Sequence, residues 1–186
     1  MKKSILFAMF VGGVFVANAQ LTPTATGSVT LNVNLYPIQH IEVNTLQSDV
    51  NLDYKNAEDY KDGVDVTLDD HLKIYSTGPF AVTVKSTTDK LKGIAGNSEE
   101  IDAANIKILA SAGKTKALAN TQYASAVSLS QGGAELFSNS QTGGNMNTFN
   151  VNYKAQHVED LYMNKYKKGS TPTVYTTNVT YTIAVK

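Results

Sequence analysis

Apolar and polar residues alternate with a period of two through most of this chain. Val29, Leu31, Val33 and Leu35 are separated by Thr30, Asn32 and Asn34. Val50, Leu52 and Tyr54 repeat the pattern, as do Val64, Val66 and Leu68, then Leu72 and Ile74, then Phe80, Val82 and Val84. Further along come Ile106 and Ile108, Val127 and Leu129, Phe149, Val151 and Tyr153, and finally Val179, Tyr181, Ile183 and Val185. Such alternation places one face of each strand on a core and the other in water, which is the habit of antiparallel sheets. About nine short strands separated by Gly, Asn, Asp and Ser clusters predict an all-β, antiparallel Ig-like β-sandwich with Greek-key character. Pro37 interrupts the first long run, so the strand is expected to bend there and continue through Ile38, Ile41 and Val43.

Helical periodicity is sparse. Residues 98–104 and 158–166 have room for a turn or two, without the length or apolar stripe of an independent helix. Segments 114–124 and 131–147 read as long loops, and Asp62-Gly63 reads as a hairpin turn between Tyr54 and Val64.

The N-terminus departs from the alternation. Lys2 and Lys3 precede an apolar run over residues 5–16, followed by Ala17-Asn18-Ala19. A basic start, a short apolar stretch and a small-x-small site form a secretory signal peptide. The run is about 12 residues, short of the roughly 20 that span a bilayer. Residues 1–19 are therefore expected to be removed, leaving Gln20 at the new N-terminus and 20–186 as a single β-sandwich domain. The mature chain is then exported to the periplasm, cell surface or extracellular space, with no membrane span.

Composition narrows the chemistry. The chain has no Cys, so its fold does not depend on disulfides and it offers no thiolate ligand. Its 16 basic residues are all Lys, two of them in the signal, against 16 acidic residues. An acidic chain without Arg lacks the planar fork that grips phosphates and base edges, so no nucleic-acid partner is expected.

No catalytic constellation stands out. No Ser lies in G-x-S-x-G, and His40, His71 and His157 are far apart, reading as surface or strand-edge residues. Asp53, Glu58, Asp59, Asp62, Asp65, Asp69 and Asp70 form an acidic stretch in which a calcium ion is conceivable between Asp59 and Asp70. The spacing nevertheless departs from the calcium-loop pattern, and Lys55 and Lys61 sit among the acids. Gly132-Gly133 and Gly143-Gly144 open no helix and read as turn glycines with positive φ rather than a phosphate loop. The expectation is no catalytic residue, no metal and no cofactor: not an enzyme. Tyr60, Tyr123, Tyr162 and Tyr166 fall in expected loops, where aromatic rings can hold glycan or peptide. Val29, Leu31, Val33 and Leu35 lie close to the new N-terminus, and a terminal amphipathic strand of this kind can add to a sheet edge of another chain.

Three stretches carry a family resemblance. Ser76-Thr77-Gly78-Pro79-Phe80-Ala81-Val82-Thr83-Val84 is one. Val127-Ser128-Leu129-Ser130 through Gly143-Gly144 to Phe149-Asn150-Val151 is the second, and Tyr175-Thr176-Thr177-Asn178-Val179-Thr180-Tyr181-Thr182-Ile183 is the third. Together they resemble exported Ig-like β-sandwich proteins of the WxL-domain, spore coat protein U and pilin-like type, with Tyr181 where the closing Trp of the WxL pattern stands. The resemblance implies a non-catalytic structural or adhesive protein of the cell surface. Its partners would be a cell-envelope component or copies of itself, joined by β-strand addition. A monomeric glycan- or peptide-binding module of the cell envelope is the alternative.

Overall fold

The computed structural model describes residues 25–155, 161–169 and 171–186. The expected signal peptide, its cleavage site and His157 lie outside them. The chain divides into two units, Met1–Asn34 and Leu35–Lys186. Of the first, residues 25–34 are described, and they run without helix or ladder.

The second unit is nearly all β. In chain order its strands are β1 (Gln39–Val43), β2 (Val64–Ser76), β3 (Phe80–Ser86), β4 (Lys90–Gly93), β5 (Glu100–Asp102), β6 (Ile106–Ala112), β7 (Gln122–Tyr123), β8 (Val127–Ser128), β9 (Ala134–Asn139), β10 (Gly144–Ala155), β11 (Tyr175–Thr176) and β12 (Val179–Val185). One sheet has the order β1-β2-β10-β6-β8, the facing one β12-β3-β9-β7, and a small third sheet β11-β4-β5. Every pairing is antiparallel. Chain neighbours are seldom ladder neighbours, because the chain repeatedly crosses between sheets, as a Greek-key sandwich requires.

The core lies between the two larger sheets. Leu72, Ile74, Ile108, Phe149 and Val151 come from the first, and Phe80, Val82, Leu136 and Phe137 from the second; all are fully buried. Phe137 and Phe149 stack across the interface with centroids 4.3 Å apart. Apart from Leu136 and Phe137, which are neighbours in β9, these are the inward positions of the alternating runs, so the period of two does what it promised in β2, β3, β6 and β10, and in β12 as far as Ile183.

Other expectations need correction. The run Val50, Leu52, Tyr54 is not a strand: it packs its apolar residues on the core without a ladder partner. Asp62-Gly63 is not a hairpin turn. It ends a short helix, α1 (Ala57–Asp62), started by Asn56, whose side chain accepts from Asp59 N while Asp59 accepts from Asn56 N. That reciprocal cap offsets the poor helix propensity of the segment. Segments 114–124 and 131–147 are not unbroken loops, because the first holds β7 and the second holds β9 and the start of β10. Residues 98–104 contain β5 and the start of a 3-10 turn, Ala103–Asn105, rather than an α-turn, and the described part of 158–166 makes only a turn over 161–164.

Candidate functional site

The residues singled out as a partner strand are not in a sheet. Val29, Leu31, Val33 and Leu35 are 94, 85, 76 and 89 % exposed, and residues 25–38 carry no ladder. Val29, Leu31 and Val33 belong to the first unit and Leu35 to the second. Burying an aliphatic side chain is worth roughly 1.5–3 kcal/mol, and none of these four gains it.

Within the second unit, β12 is an outer strand of its sheet, paired among the described residues with β3 alone. Antiparallel ladders bond alternate residues. The bonds Lys186 N to Pro79 O and Thr87 N to Asn178 O place the even-numbered residues of β12 in the bonded positions toward β3. The N–H and C=O groups of Val179, Tyr181, Ile183 and Val185 therefore point to the open edge. Their side chains face inward, opposite the buried Ser86, Val84, Val82 and Phe80. Val179, Tyr181 and Ile183 are only half-buried, and Val185 is exposed.

The neighbouring edge of the other sheet has the same character. β1 lies beside β12 with no ladder between them. The bonds Thr77 N to Ile38 O and Asn44 N to His71 O set the even residues of β1 toward β2. Gln39, Ile41 and Val43 turn their backbone groups outward. The sandwich thus has a seam along which two strand edges meet unpaired, floored by half-covered apolar side chains.

A polar chain runs beneath this seam. His71 is 2 % exposed, a correction to its expected surface position. In β2 the three residues Asp69, Asp70 and His71 stand opposite the single Asn150 of β10, and Asp70 adopts φ 48°. This three-against-one bulge turns His71 into the sandwich. Its Nε2 lies 3.0 Å from the Tyr153 hydroxyl and its Nδ1 3.0 Å from Gln47 Oε1. The Tyr153 hydroxyl in turn meets that of Tyr181. Gln47 Nε2 donates to Asp69 O at 3.0 Å, leaving Gln47 Oε1 as an acceptor. His71 Nδ1 therefore carries the proton, Nε2 accepts from Tyr153 O–H, and Tyr153 accepts from Tyr181 O–H. Burial pushes the His71 imidazole below its ordinary range. Burial likewise raises the Tyr153 phenol to about 12 and drives Tyr181 higher still.

Five of the seven acids in the acidic stretch make side-chain contacts within the fold. Asp59 caps α1, Asp69 pairs with Lys114 at 2.6 Å, Asp53 with Lys55, and Asp65 accepts from Asn152. Asp70 accepts from Lys114 N, Thr115 N and the Thr115 hydroxyl. No group of three His, Cys, Asp or Glu able to hold a metal occurs among the described residues. His40 bonds Glu42 on the exposed face of β1.

The glycine pairs differ. Gly133 has φ 75°, as expected. Gly132, Gly143 and Gly144 do not have positive φ, and a Cβ on Gly143 would lie 2.0 Å from Ser76 O, so it is a close-approach glycine. Tyr60 and Tyr162 pack on Tyr54 with centroids 5.1 Å away, and Tyr123 packs on Phe137 and Phe149. Only Tyr166, of the four loop tyrosines, is largely exposed.

The seam and the relay were not anticipated. One signal was available: Tyr153 and Tyr181 sit mid-strand at inward positions, where a buried phenol needs a hydrogen-bond partner. No helix among the described residues is long and apolar enough to cross a membrane. No family model and no curated protein sequence matches this chain.

Proposed function

We propose that this is an exported, non-catalytic structural or adhesive protein of the cell surface that joins copies of itself by β-strand addition. The alternating segment 29–35 of one copy is the added strand, and the open edge of β12 in another copy receives it. The carrying observation is complementarity. Four exposed apolar side chains alternate along a segment the length of β12, and β12 offers a row of unbonded N–H and C=O groups above a half-covered core. Backbone pairing supplies affinity and alternate side chains in the seam supply register. Four buried aliphatic residues contribute roughly 6–12 kcal/mol before association costs are subtracted. Export rests on the Lys2-Lys3, apolar, Ala17-Asn18-Ala19 start.

Light scattering of the mature chain tests this. Assembly by strand addition gives a concentration-dependent ladder of sizes, and deletion of residues 20–35 collapses it to one monomeric species. If the truncated protein assembles as before, segment 29–35 is not the added strand. A clean monomer in the intact chain, at every concentration, favours the alternative of a glycan- or peptide-binding module, for which the exposed Tyr166 and Tyr36 are the available aromatic contacts.

A further inference from the structure

We infer that His71 is a proton-operated tie on the edge strand that receives the partner segment, so that strand capture weakens when His71 is protonated. This rests on the assembly reading above for its consequence, while the tie itself is a property of the single chain.

The argument is one of hydrogen-bond direction. β12 belongs to one sheet, while Tyr153 and His71 belong to the other. The Tyr181 to Tyr153 bond therefore crosses the sandwich at the seam. With His71 neutral, each donor of the relay has an acceptor: Tyr181 donates to Tyr153, Tyr153 to His71 Nε2, His71 Nδ1–H to Gln47, and Gln47 to Asp69 O. Protonation puts a hydrogen on Nε2. Tyr153 must then accept from His71 and turn its own O–H toward Tyr181. Tyr181 can no longer donate to it, and its O–H is left facing the apolar seam. A buried donor without an acceptor is costly, and its relief is outward movement of β12.

Among the described residues the surroundings offer no compensating charge. From β10 the neighbour is Tyr153, from β12 Tyr181, and from the 3-10 turn Thr45–Gln47 it is Gln47. On β2 itself the Asp69 carboxylate is paired with Lys114 and that of Asp70 with the backbone and hydroxyl of Thr115. The Glu42 carboxylate of β1 is bonded to exposed His40. The backbone groups of Tyr181 that an added strand would bond lie in the residue whose side chain the tie holds.

The test is amide exchange of the full mature chain carrying Leu31→Lys and Val33→Lys, which blocks self-assembly. Thr180, Thr182 and Ala184 report how firmly β12 is held to β3. After correction for intrinsic rates, their protection is expected to fall about tenfold or more between about pH 7.5 and a lower pH beneath the folded His71 pKa, which burial places below the ordinary range. The fall should track the His71 titration followed by ring nitrogen shifts on the same sample, which should also show the Nδ1–H tautomer at neutral pH. His71→Gln should abolish the pH response. Should that variant fail to fold, the coincidence of the two midpoints in the parent decides. Protection that is flat across this range, or that falls with a midpoint unrelated to His71, overturns the tie. A synthetic peptide of residues 27–36 should bind the same sample about tenfold more weakly at the lower pH. If it binds equally at both, the link from tie to capture is wrong. If it binds at neither, the assembly reading fails, and the exchange data alone decide the tie.

Discussion

The Tyr153 hydroxyl stands between two partners, 3.0 Å from His71 Nε2 on one side and bonded to the Tyr181 hydroxyl on the other. It therefore both donates and accepts, whereas Tyr181 only donates. The two phenols are not equivalent, although both tyrosines sit at mid-strand with inward-facing rings, Tyr153 buried and Tyr181 half-buried. Tyr153→Phe leaves the His71 acceptor and the Tyr181 donor unpaired together and should cost about 2–4 kcal/mol. Tyr181→Phe leaves the Tyr153 to His71 bond intact and should cost about 0.5–1.5 kcal/mol. Urea unfolding of both variants checks the order, and a Tyr181→Phe loss equal to or larger than that of Tyr153→Phe contradicts the assigned directions.

The same chain makes stability depend on pH. The folded His71 has a pKa below its unfolded value near 6.5, so at intermediate pH the unfolded state binds the extra proton. Its contribution is fully present above that value and is lost as pH falls from about 6.5 toward the folded pKa. Unfolding free energy measured from neutral to mildly acidic pH should decline, and should decline less in His71→Gln. Equal slopes in the two proteins would remove His71 from the account.

Asp70 makes two demands on one position. Its φ of 48° is tolerated by Asn and Gly better than by Ala, and its carboxylate accepts the N–H groups of Lys114 and Thr115. The Thr115 hydroxyl bond, with further hydrogen bonds, holds its carboxyl down at about 2. That support is present above the ordinary carboxylate range and fades as pH falls toward about 2. Asp70→Ala should therefore cost more than Asp70→Asn or Asp70→Gly, by about 1 kcal/mol against the milder of the two. Chemical denaturation ranks them, and an Ala variant as stable as the Asn one would be inconsistent with the left-handed backbone.

Gly143 and Gly27 provide a matched pair. A Cβ on Gly143 meets the Ser76 carbonyl at 2.0 Å and Gly78 N at 2.8 Å, while one on Gly27 meets nothing within 4 Å. Gly143→Ala must shift the backbone of the β2–β3 corner and should lose about 2–4 kcal/mol, whereas Gly27→Ala should leave the melting temperature unchanged. Equal melting temperatures for the two variants would refute the close approach.

Much of the sandwich is legible in the sequence because inward residues of long strands are apolar at every second position. Phe80, Val82, Val84 and Phe149, Val151, Tyr153 show this directly. The missed elements fail for identifiable reasons. In β9, Leu136, Phe137, Ser138 and Asn139 are all buried, so both faces are covered and the alternation disappears. α1 rests on a two-residue reciprocal cap rather than an apolar stripe. β4, β5 and β7 are too short to establish a period. Segment 29–35 was legible as an alternating run, but its lack of any ladder was not, since alternation states what a strand can bury and not whether anything covers it. The seam belongs to topology: that β1 and β12 lie side by side unbonded follows from how the chain crosses between sheets. His71 was hidden by the bulge at Asp69–His71, which no local pattern announces.

Segment 29–35 separates stability from assembly. Its apolar side chains are exposed, so Leu31→Lys with Val33→Lys should leave the unfolding free energy within about 0.5 kcal/mol of the parent. The same pair should abolish higher-order species in light scattering, because charges on alternate residues cannot enter an apolar seam. Thr30→Lys with Asn32→Lys, on the opposite face, should assemble far better. Identical behaviour of the two double variants would contradict a one-faced strand.

The most direct measurement is residue-resolved amide exchange of the assembly-blocked chain, with and without a peptide of residues 27–36. The open-edge amides of Val179, Tyr181, Ile183 and Val185 should exchange freely without peptide and slow by at least about tenfold on its addition. Thr180, Thr182 and Ala184, already bonded to β3, should change little. Unchanged odd-numbered amides under saturating peptide, or protection gained elsewhere instead, would contradict capture of that segment at β12.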